Sequence, residues 1–391
     1  MSDEAAPASR SKRLGELARL FFGLGVVGFG GPAAHIAMME EEVVRKRKWL
    51  TPQAFLDLIG ATNLIPGPNS TEMTMHVGFA RAGWAGLFVA GGSFILPAAG
   101  LTLALAWLYV ETASIPAVEP FLVGIPAAVL AIIAGALWRL GKKAITSLPL
   151  ALIAAAVAAA LLLGVREIPA LFLGGGLGGL ALYLARRPRG GGSVDLKEAS
   201  LPVLLAAGLQ AAAGAVPSLA VLGLFFLKVG AVLYGSGYVL VAFLEADVVD
   251  RYGWLTQTQL LDAIALGQLT PGPVLTTSTA VGYMVQGVPG AAVATLGIFL
   301  PAFLFTGLLH PLVPKLRSHP LTAALLDAVN AASVALMAVV TVMLAVGTLT
   351  SVGQWIVALV AVGLVFSGKV NVIALVAFGA VAGWLLSLLG G

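Results

Sequence analysis

The sequence predicts an all-α polytopic membrane protein made of two inverted-topology repeats. The first observation behind this prediction is composition: the 391 residues are 59% hydrophobic and 10% charged, whereas a soluble domain carries about 25% charged residues. The second is length, because apolar stretches of about 20 residues, which a bilayer core requires, recur along most of the chain. The third is an internal duplication, since two long segments match each other in one register.

The duplication defines the predicted organisation of the chain. Its two copies share a Trp-x-Thr pattern, a Pro-Gly-Pro pattern and an acidic position, and a charged, glycine-rich stretch separates them. The matched residues are Trp49 and Trp254, Thr51 and Thr256, Pro66-Gly67-Pro68 and Pro271-Gly272-Pro273, and Glu40 and Glu245. We therefore predict a cytoplasmic N-terminal tail (1–13), a first transporter repeat (14–185), a linker (186–200) and a second, inverted repeat (201–391) that starts with a connecting helix.

Each repeat begins with two apolar segments that are interrupted in the middle. In the first repeat, residues 14–44 are interrupted by the glycines and proline at 28–32, and residues 53–80 by Pro66-Gly67-Pro68. Neither segment is long enough to cross the bilayer twice, because two passes need roughly 40 residues. A single crossing and a re-entrant hairpin, which enters and leaves on one side, both remain open for each segment.

The distribution of basic residues favours the hairpins. Cytoplasmic loops are rich in Lys and Arg, and hairpins keep both the run Arg45–Lys48 and Arg81 on the cytoplasmic side. The predicted crossings are then 84–108, 117–138, 144–164, 168–185, 201–217, 288–310, 321–346, 350–367 and 371–389, with hairpins at 219–248 and 256–284 entering from outside. Interrupted helices in two oppositely oriented halves are typical of secondary transporters.

The interruptions predict an anion site. A helix that begins inside the bilayer presents free backbone N–H groups and the positive end of its dipole, which bind anions. The candidate substrate-binding residues are Gly30, Gly31, Pro32, His35, Gly67, Asn69, Ser70, Thr71, Lys228, Gly235, Ser236, Gly272, Thr276 and Thr277. Two alternatives stay open: the hydroxyl groups could bond to their own helix backbone, and Lys228 could pair with an acid or reach the membrane interface instead of neutralising a dianion.

Buried ionisable residues are the candidates for proton coupling, because charged groups inside a membrane are costly and usually functional. Glu72 and His76 lie four residues apart on one helix face, and Glu40 and Glu245 hold matched positions in the two repeats. The chain has no cysteine and only 4 histidines, so we predict no metal site, no cofactor and no enzymatic activity. A membrane-embedded enzyme and an anion channel are the less favoured alternatives.

Two sets of motifs resemble those of a known transporter family. The first repeat carries FGGP, KWLT, IPGPNS and FILPA, and the second carries YGSGYV, TPGP and GIFLPAF. In these motifs and their order, the chain resembles the two-domain members of the chromate ion transporter (CHR) family over nearly its whole length. The family residues matched here are Gly30, Gly31, Pro32, Pro66, Gly67, Pro68, Asn69, Gly235, Pro271, Gly272 and Pro273. Val274 stands where the first repeat has Asn69, so the two tips are expected to differ chemically.

The resemblance implies a secondary transporter that moves chromate across the cytoplasmic (inner) membrane. It implies efflux that gives chromate resistance, with sulfate or another oxyanion as the alternative physiological substrate. We also expect a coupling proton or counter-anion and a surrounding lipid bilayer. No nucleic-acid partner is expected. The oligomeric state, including a homodimer, is left open.

Overall fold

The structure, a computed structural model, describes residues 9–28, 31–62, 65–115, 118–165, 167–186, 217–234, 237–312 and 320–388. Across these ranges the regular elements are helices and no β-strand is present, which confirms the all-α prediction. Several predicted features lie outside the described residues: most of the tail, the linker from 187 to 200, the crossing 201–217 except its last residue, the chain end, and Gly30, Gly235 and Ser236.

The helices follow the same order in both repeats. The first repeat has α1 (Arg10–Val27), α2 (Gly31–Met39), α3 (Pro52–Thr62), α4 (Asn69–Thr112), α5 (Glu119–Leu122), α6 (Ile125–Ala144), α7 (Leu148–Leu162) and α8 (Glu167–Arg186). The second has α9 (Leu219–Val232), α10 (Leu240–Phe243), α11 (Gln257–Leu269), α12 (Thr277–Leu309), α13 (Pro320–Thr348), α14 (Val352–Ser367) and α15 (Val372–Leu388). Matched π-helical segments, Glu40–Lys46 and Leu244–Arg251, follow α2 and α10.

The apolar helices make this a multi-pass membrane protein. Among the residues that the structure describes, four stretches are long and apolar enough to cross a bilayer: Asn69–Thr112, Pro120–Ala144, Val274–Leu309 and Ala323–Thr348. Five shorter apolar helices accompany them: Leu148–Leu162, Pro169–Ala185, Leu219–Val232, Val352–Ser367 and Val372–Leu388. The predicted crossing 144–164 is helical over 15 residues, Leu148–Leu162. Pro149 lies in the first turn of this helix, and Gly164, with a φ of +87°, follows its end.

The long helices α4 and α12 each reverse direction at a matched glycine. Gly83 has φ +62° and Gly287 has φ +61°, in the left-handed region that glycine tolerates best. Gly78 and Gly86 lie on either side of the first reversal, and their backbones are in contact. A Cβ atom on either glycine would collide with the carbonyl oxygen of the other. Each of these helices is therefore a pair of arms folded against each other, with the arms 69–81 and 84–112 in α4.

Both broken segments of the first repeat enter and leave at the same end of the molecule. Arg81, at the end of the first arm of α4, forms a salt bridge of 2.8 Å with Glu16 of α1. The Arg13 guanidinium donates to the Arg81 carbonyl oxygen at 3.1 Å, and the Arg81 guanidinium lies 4.7 Å from the ring centre of Trp49, just before α3. These contacts agree with the hairpin alternative for both segments.

The two repeats pack through the second arms of α4 and α12, which run antiparallel. Trp84 lies against Gly307, and Phe88 stacks on Phe303 with ring centres 5.3 Å apart. The residue number therefore falls along α12 as it rises along α4. Because these arms are the same helix in each repeat, their antiparallel pairing is what an inverted repeat requires. The orientation of the repeats in the membrane remains a prediction.

Candidate functional site

The two Pro-Gly-Pro loops pack against the opposite repeats. Gly67 lies against Ala302 of the second repeat, and Gly272 lies against Ala98 of the first. The two glycines occupy matched positions in the repeats, and so do the two alanines. The backbone N–H of Gly272 also donates to the carbonyl oxygen of Gly28 at 2.8 Å. The breaks in both repeats therefore meet at the interface between them.

The local sequence explains why a helix begins at each break. Gly67 and Gly272 have φ values of +146° and +91°, which side chains other than glycine rarely adopt. The preceding turn ends at Pro68, whose carbonyl oxygen accepts the N–H groups of Thr71 at 2.8 Å and Glu72 at 3.0 Å. The N-terminus of α4, with its free N–H groups and positive dipole end, therefore lies at the repeat interface.

At the second tip the predicted hydroxyl donors are already engaged. A 3-10 turn, Val274–Thr276, leads into α12. The Thr276 hydroxyl donates to the carbonyl oxygen of Pro273 and the Thr277 hydroxyl to that of Val274, both at 2.9 Å. Of the two alternatives that the sequence left open, the structure shows backbone bonding for these two residues.

At the first tip the arrangement is different. Ser70 and Thr71 are 1% and 0% exposed, and Asn69 is partly buried. The Thr71 hydroxyl has no hydrogen-bond partner among the described residues. The first tip therefore has a buried hydroxyl without a partner among the described residues, a difference from the second tip that is separate from the predicted contrast between Asn69 and Val274.

His35 lies beside the contact between the tips. It is 1% exposed, its Nε2 is 2.8 Å from the Gly28 carbonyl oxygen, and its ring stands edge-on to Phe94. Because a carbonyl oxygen only accepts hydrogen bonds, Nε2 carries a proton. The neighbouring candidates Gly31 and Pro32 form the first turn of α2.

Lys228 is paired with an acid. Its Nζ lies 2.6 Å from Asp247 Oδ2, and the two side chains are 9% and 6% exposed. Arg251 also contacts Asp247 at 3.5 Å, and the Lys228 ammonium lies 5.2 Å from the ring centre of Phe225. The charge of Lys228 is therefore already balanced, as one of the sequence-based alternatives predicts.

The matched acids Glu40 and Glu245 have different environments. Glu40 has a side chain that is 47% exposed and forms a 3.5 Å salt bridge with Arg45. Glu245 is 1% exposed and accepts a hydrogen bond of 2.7 Å from Gln257. Only the second of the two is enclosed by protein.

Glu72 and His76 are both completely buried on the first arm of α4. The Glu72 carboxylate lies against Gly67, so that a methyl group there would collide with Oε1. Neither carboxylate oxygen has a hydrogen-bond partner among the described residues. His76 Nδ1 lies 2.8 Å from Nδ1 of His310, which belongs to the second repeat.

Sequence reasoning did not single out three further residues, all of them in the second repeat. His310 is 234 residues from His76, Thr306 is a completely buried threonine one turn earlier in α12, and Tyr234 lies close enough to Glu72 to interact with its charge. Ala302, Thr306 and His310 share one helix face, and the Thr306 hydroxyl has no partner in the described part of the chain. No sequence pattern indicates that this face meets Glu72 and His76.

Comparison with known proteins identifies the family. The family described as chromate transporter matches residues 15–180 and 220–384, one region in each repeat. The chain belongs to the chromate transporter family. In this transporter, the two matched regions fall within the two predicted repeats and contain both Pro-Gly-Pro loops.

Named relatives of this transporter cover most of its length. The chromate transport protein of Cupriavidus metallidurans is 33% identical over 89% of the chain and 86% of its own length. The chromate transport protein of Pseudomonas aeruginosa is 32% identical over 94% and 91%. The probable chromate transport protein of Synechococcus elongatus is 30% identical over 92% of each. No solved structure is significantly similar to the chain.

Proposed function

We propose that this transporter moves chromate out of the cell across the cytoplasmic membrane and so gives chromate resistance. The observation that carries the proposal is the pair of helix starts that the Pro-Gly-Pro loops bring to the repeat interface. Such starts offer free N–H groups and positive dipole ends to an anion. The names of the three relatives point to chromate as that anion.

The substrate is expected to bind between the two tips. A dianion in a low-dielectric site needs several directed donors or a neutralising charge. The helix starts after Pro68 and Pro273 and the buried Thr71 hydroxyl are the donors proposed here. The neutral His35 is not among them, because its Nε2 proton is already donated to the Gly28 carbonyl oxygen. Lys228 is not among them, because Asp247 already balances its charge.

Transport is proposed to follow from the antiparallel packing of the repeats. Two oppositely oriented halves can rock about a site at their interface and open it to each side of the membrane in turn. In the proposed orientation, Arg81 and the basic run from 45 to 48 face the cytoplasm, as cytoplasmic loops are rich in basic residues.

Sulfate is the second candidate substrate. It shares the tetrahedral shape and double negative charge of chromate, so the same helix starts and hydroxyl group would serve it. The relatives are named as transport proteins, and an enzymatic role is therefore not proposed.

The test is transport by the purified protein in liposomes. Vesicles loaded with unlabelled chromate should accumulate labelled chromate by exchange, with saturation, and protein-free vesicles should not. Unlabelled sulfate added outside should compete weakly if chromate is the substrate and strongly if sulfate is. Inside-out membrane vesicles should accumulate chromate if the direction is efflux. Absence of saturable exchange for both anions would contradict the proposal.

A further inference from the structure

A column of polar side chains, buried except at its last member, leads from the repeat interface towards the end of the molecule where Arg81 lies. It consists of Glu72 at the first tip, His76 one turn further along the same arm, and His310 across the repeat interface. We propose that His310, His76 and Glu72 form a proton relay that loads Glu72 from one side of the membrane when the oxyanion binds. This inference rests on the proposed function, because it assigns a proton to the same site.

Glu72 lies at the proposed binding site of the oxyanion. Its carboxylate lies against Gly67 in the tip where the oxyanion is proposed to bind. An ionised carboxylate and a dianion in one low-dielectric site repel each other strongly. Burial of a carboxylate whose oxygens accept no hydrogen bond from the described residues also favours the neutral form. The loaded site therefore needs a proton on Glu72, so proton and oxyanion bind together and travel in the same direction.

The proposed route for that proton passes through His310 and His76. His76 lies one helical turn from Glu72, close enough for the side chains to meet directly or through one bridging group. Its Nε2 has no partner among the described residues, while its Nδ1 is 2.8 Å from Nδ1 of His310. His310 is partly exposed, in the turn His310–Leu312 at the end of α12. The pair therefore connects the arm of a buried acid to a partly exposed position at the end of α12.

Each step of proton transfer along this route conserves the total number of protons. Before transfer, His310 carries its proton on Nδ1 and donates it to Nδ1 of His76, which carries its own proton on Nε2. A proton that arrives at Nε2 of His310 releases the Nδ1 proton to His76, and His76 then gives its Nε2 proton to the Glu72 carboxylate. Both rings end neutral with exchanged tautomers, and Glu72 ends neutral. The relay is reset when both imidazole rings return to their original tautomers.

Other titratable groups on the elements packed around this arm have partners of their own. Tyr234, a further titratable group, lies close enough to Glu72 to interact with its charge. Elsewhere, His35 bonds to Gly28, Asp57 accepts from Gln53, Asp262 accepts from Tyr109, and Arg81 bonds to Glu16. Within the proposed path, His310 and His76 are hydrogen-bonded in the structure, and the step from His76 Nε2 to Glu72 is proposed to occur directly or through one bridging group.

The relay exists on one side of the pseudo-symmetric interface. The matched position for His76 is Ala280, and that for His310 is Ala106, and both alanines are completely buried. The duplication therefore carries the path in one copy only, leading towards the Arg81 end, which is predicted to be cytoplasmic. One proton per dianion leaves a net negative charge to move outwards, which an inside-negative membrane potential favours.

The experiment compares two activities of the protein in liposomes that contain a pH-sensitive dye. Exchange of labelled chromate at equal pH requires binding and alternation but no net proton movement. Acidification of the lumen during net chromate uptake requires the relay. His76→Gln and His310→Gln keep a hydrogen-bonding side chain but cannot pass a proton. We expect each to retain exchange within about twofold and to lose about tenfold or more of the coupled proton flux.

Glu72→Gln and Asp262→Asn complete the comparison. Glu72→Gln should abolish the coupled proton flux and leave the affinity for the chromate dianion independent of pH. Asp262→Asn, which neutralises a buried acid outside the column, should retain coupling. Wild-type proton flux in both histidine variants would overturn the relay, as would net chromate uptake by the wild-type protein without acidification of the lumen. If His76→Gln does not fold, His310→Gln at the partly exposed position decides alone. Absence of exchange in the wild type would instead overturn the proposed function.

Discussion

The backbone N–H of Gly272 donates to the carbonyl oxygen of Gly28 at 2.8 Å, which ties the break in the second repeat to the break in the first. The same oxygen accepts a hydrogen bond from His35 Nε2. A rocking motion of one repeat against the other must break or shift this contact. The tips are therefore where the proposed substrate binding and the proposed repeat movement would be most directly linked.

The tip glycines should be intolerant of a side chain. We expect Gly67→Ala and Gly272→Ala to weaken chromate affinity, because each residue has a positive φ and a Cβ would also meet Glu72 or Ala98. A strained backbone position costs about 1–3 kcal/mol, which corresponds to a roughly five- to hundredfold loss of chromate affinity. The measurement is the concentration dependence of chromate exchange.

Gly100→Ala is the matched control for these two variants. Gly100 lies in the second arm of α4, and a Cβ there would have no neighbour within 4 Å among the described residues. It should keep wild-type affinity. Equal affinity in all three variants would show that the tips do not approach the substrate.

The two tips should differ in the importance of their hydroxyl groups. Thr71→Ala removes a buried hydroxyl that has no partner among the described residues, so it should cost about 1–3 kcal/mol of chromate binding if that hydroxyl donates to the anion. Thr276→Ala should change affinity little, because its hydroxyl already donates to Pro273. Equilibrium binding by calorimetry distinguishes the two, and equal losses in both variants would contradict the difference between the tips.

The Lys228–Asp247 pair should contribute to stability without contributing to substrate binding. Removing one member of a buried ion pair costs about 3–5 kcal/mol, whereas replacing both with apolar side chains is often neutral. We therefore expect Lys228→Met to lower the melting temperature in detergent and Lys228→Met with Asp247→Leu to restore most of it. If Lys228 instead neutralised the substrate, the stable double variant would still lose chromate affinity.

Labelling of matched positions tests the inverted topology directly, since the chain has no cysteine to interfere. Arg45 and Asp250 are both exposed and occupy matched places in the two π-helical segments. Arg45→Cys should react with an impermeant reagent only from the cytoplasmic side, and Asp250→Cys only from outside. Labelling of both from one side would indicate a parallel repeat.

Much of the architecture was predictable from local patterns. Apolar length and composition predict helices that cross a bilayer, and the matched Trp-x-Thr and Pro-Gly-Pro patterns predict the duplication. The Pro-Gly-Pro loops also predict where helices start, because proline and glycine limit the backbone regardless of what surrounds them. The hairpin prediction also implied that the chain turns back between the segment 53–80 and the crossing 84–108, and the structure places this reversal at Gly83. The pattern did not show which residue makes the turn, since glycine in an apolar stretch is equally compatible with a straight helix in close contact.

The sequence by itself determined the helical membrane fold, the two repeats and the positions of their breaks, because these depend on hydropathy and on backbone preferences within a few residues. Only the tertiary structure decided which side chains face one another. It paired Lys228 with Asp247, engaged the Thr276 hydroxyl with its own backbone, and brought His310 to His76 across 234 residues. Such pairings depend on how whole helices pack, and the residues involved carry no local signal of their partners.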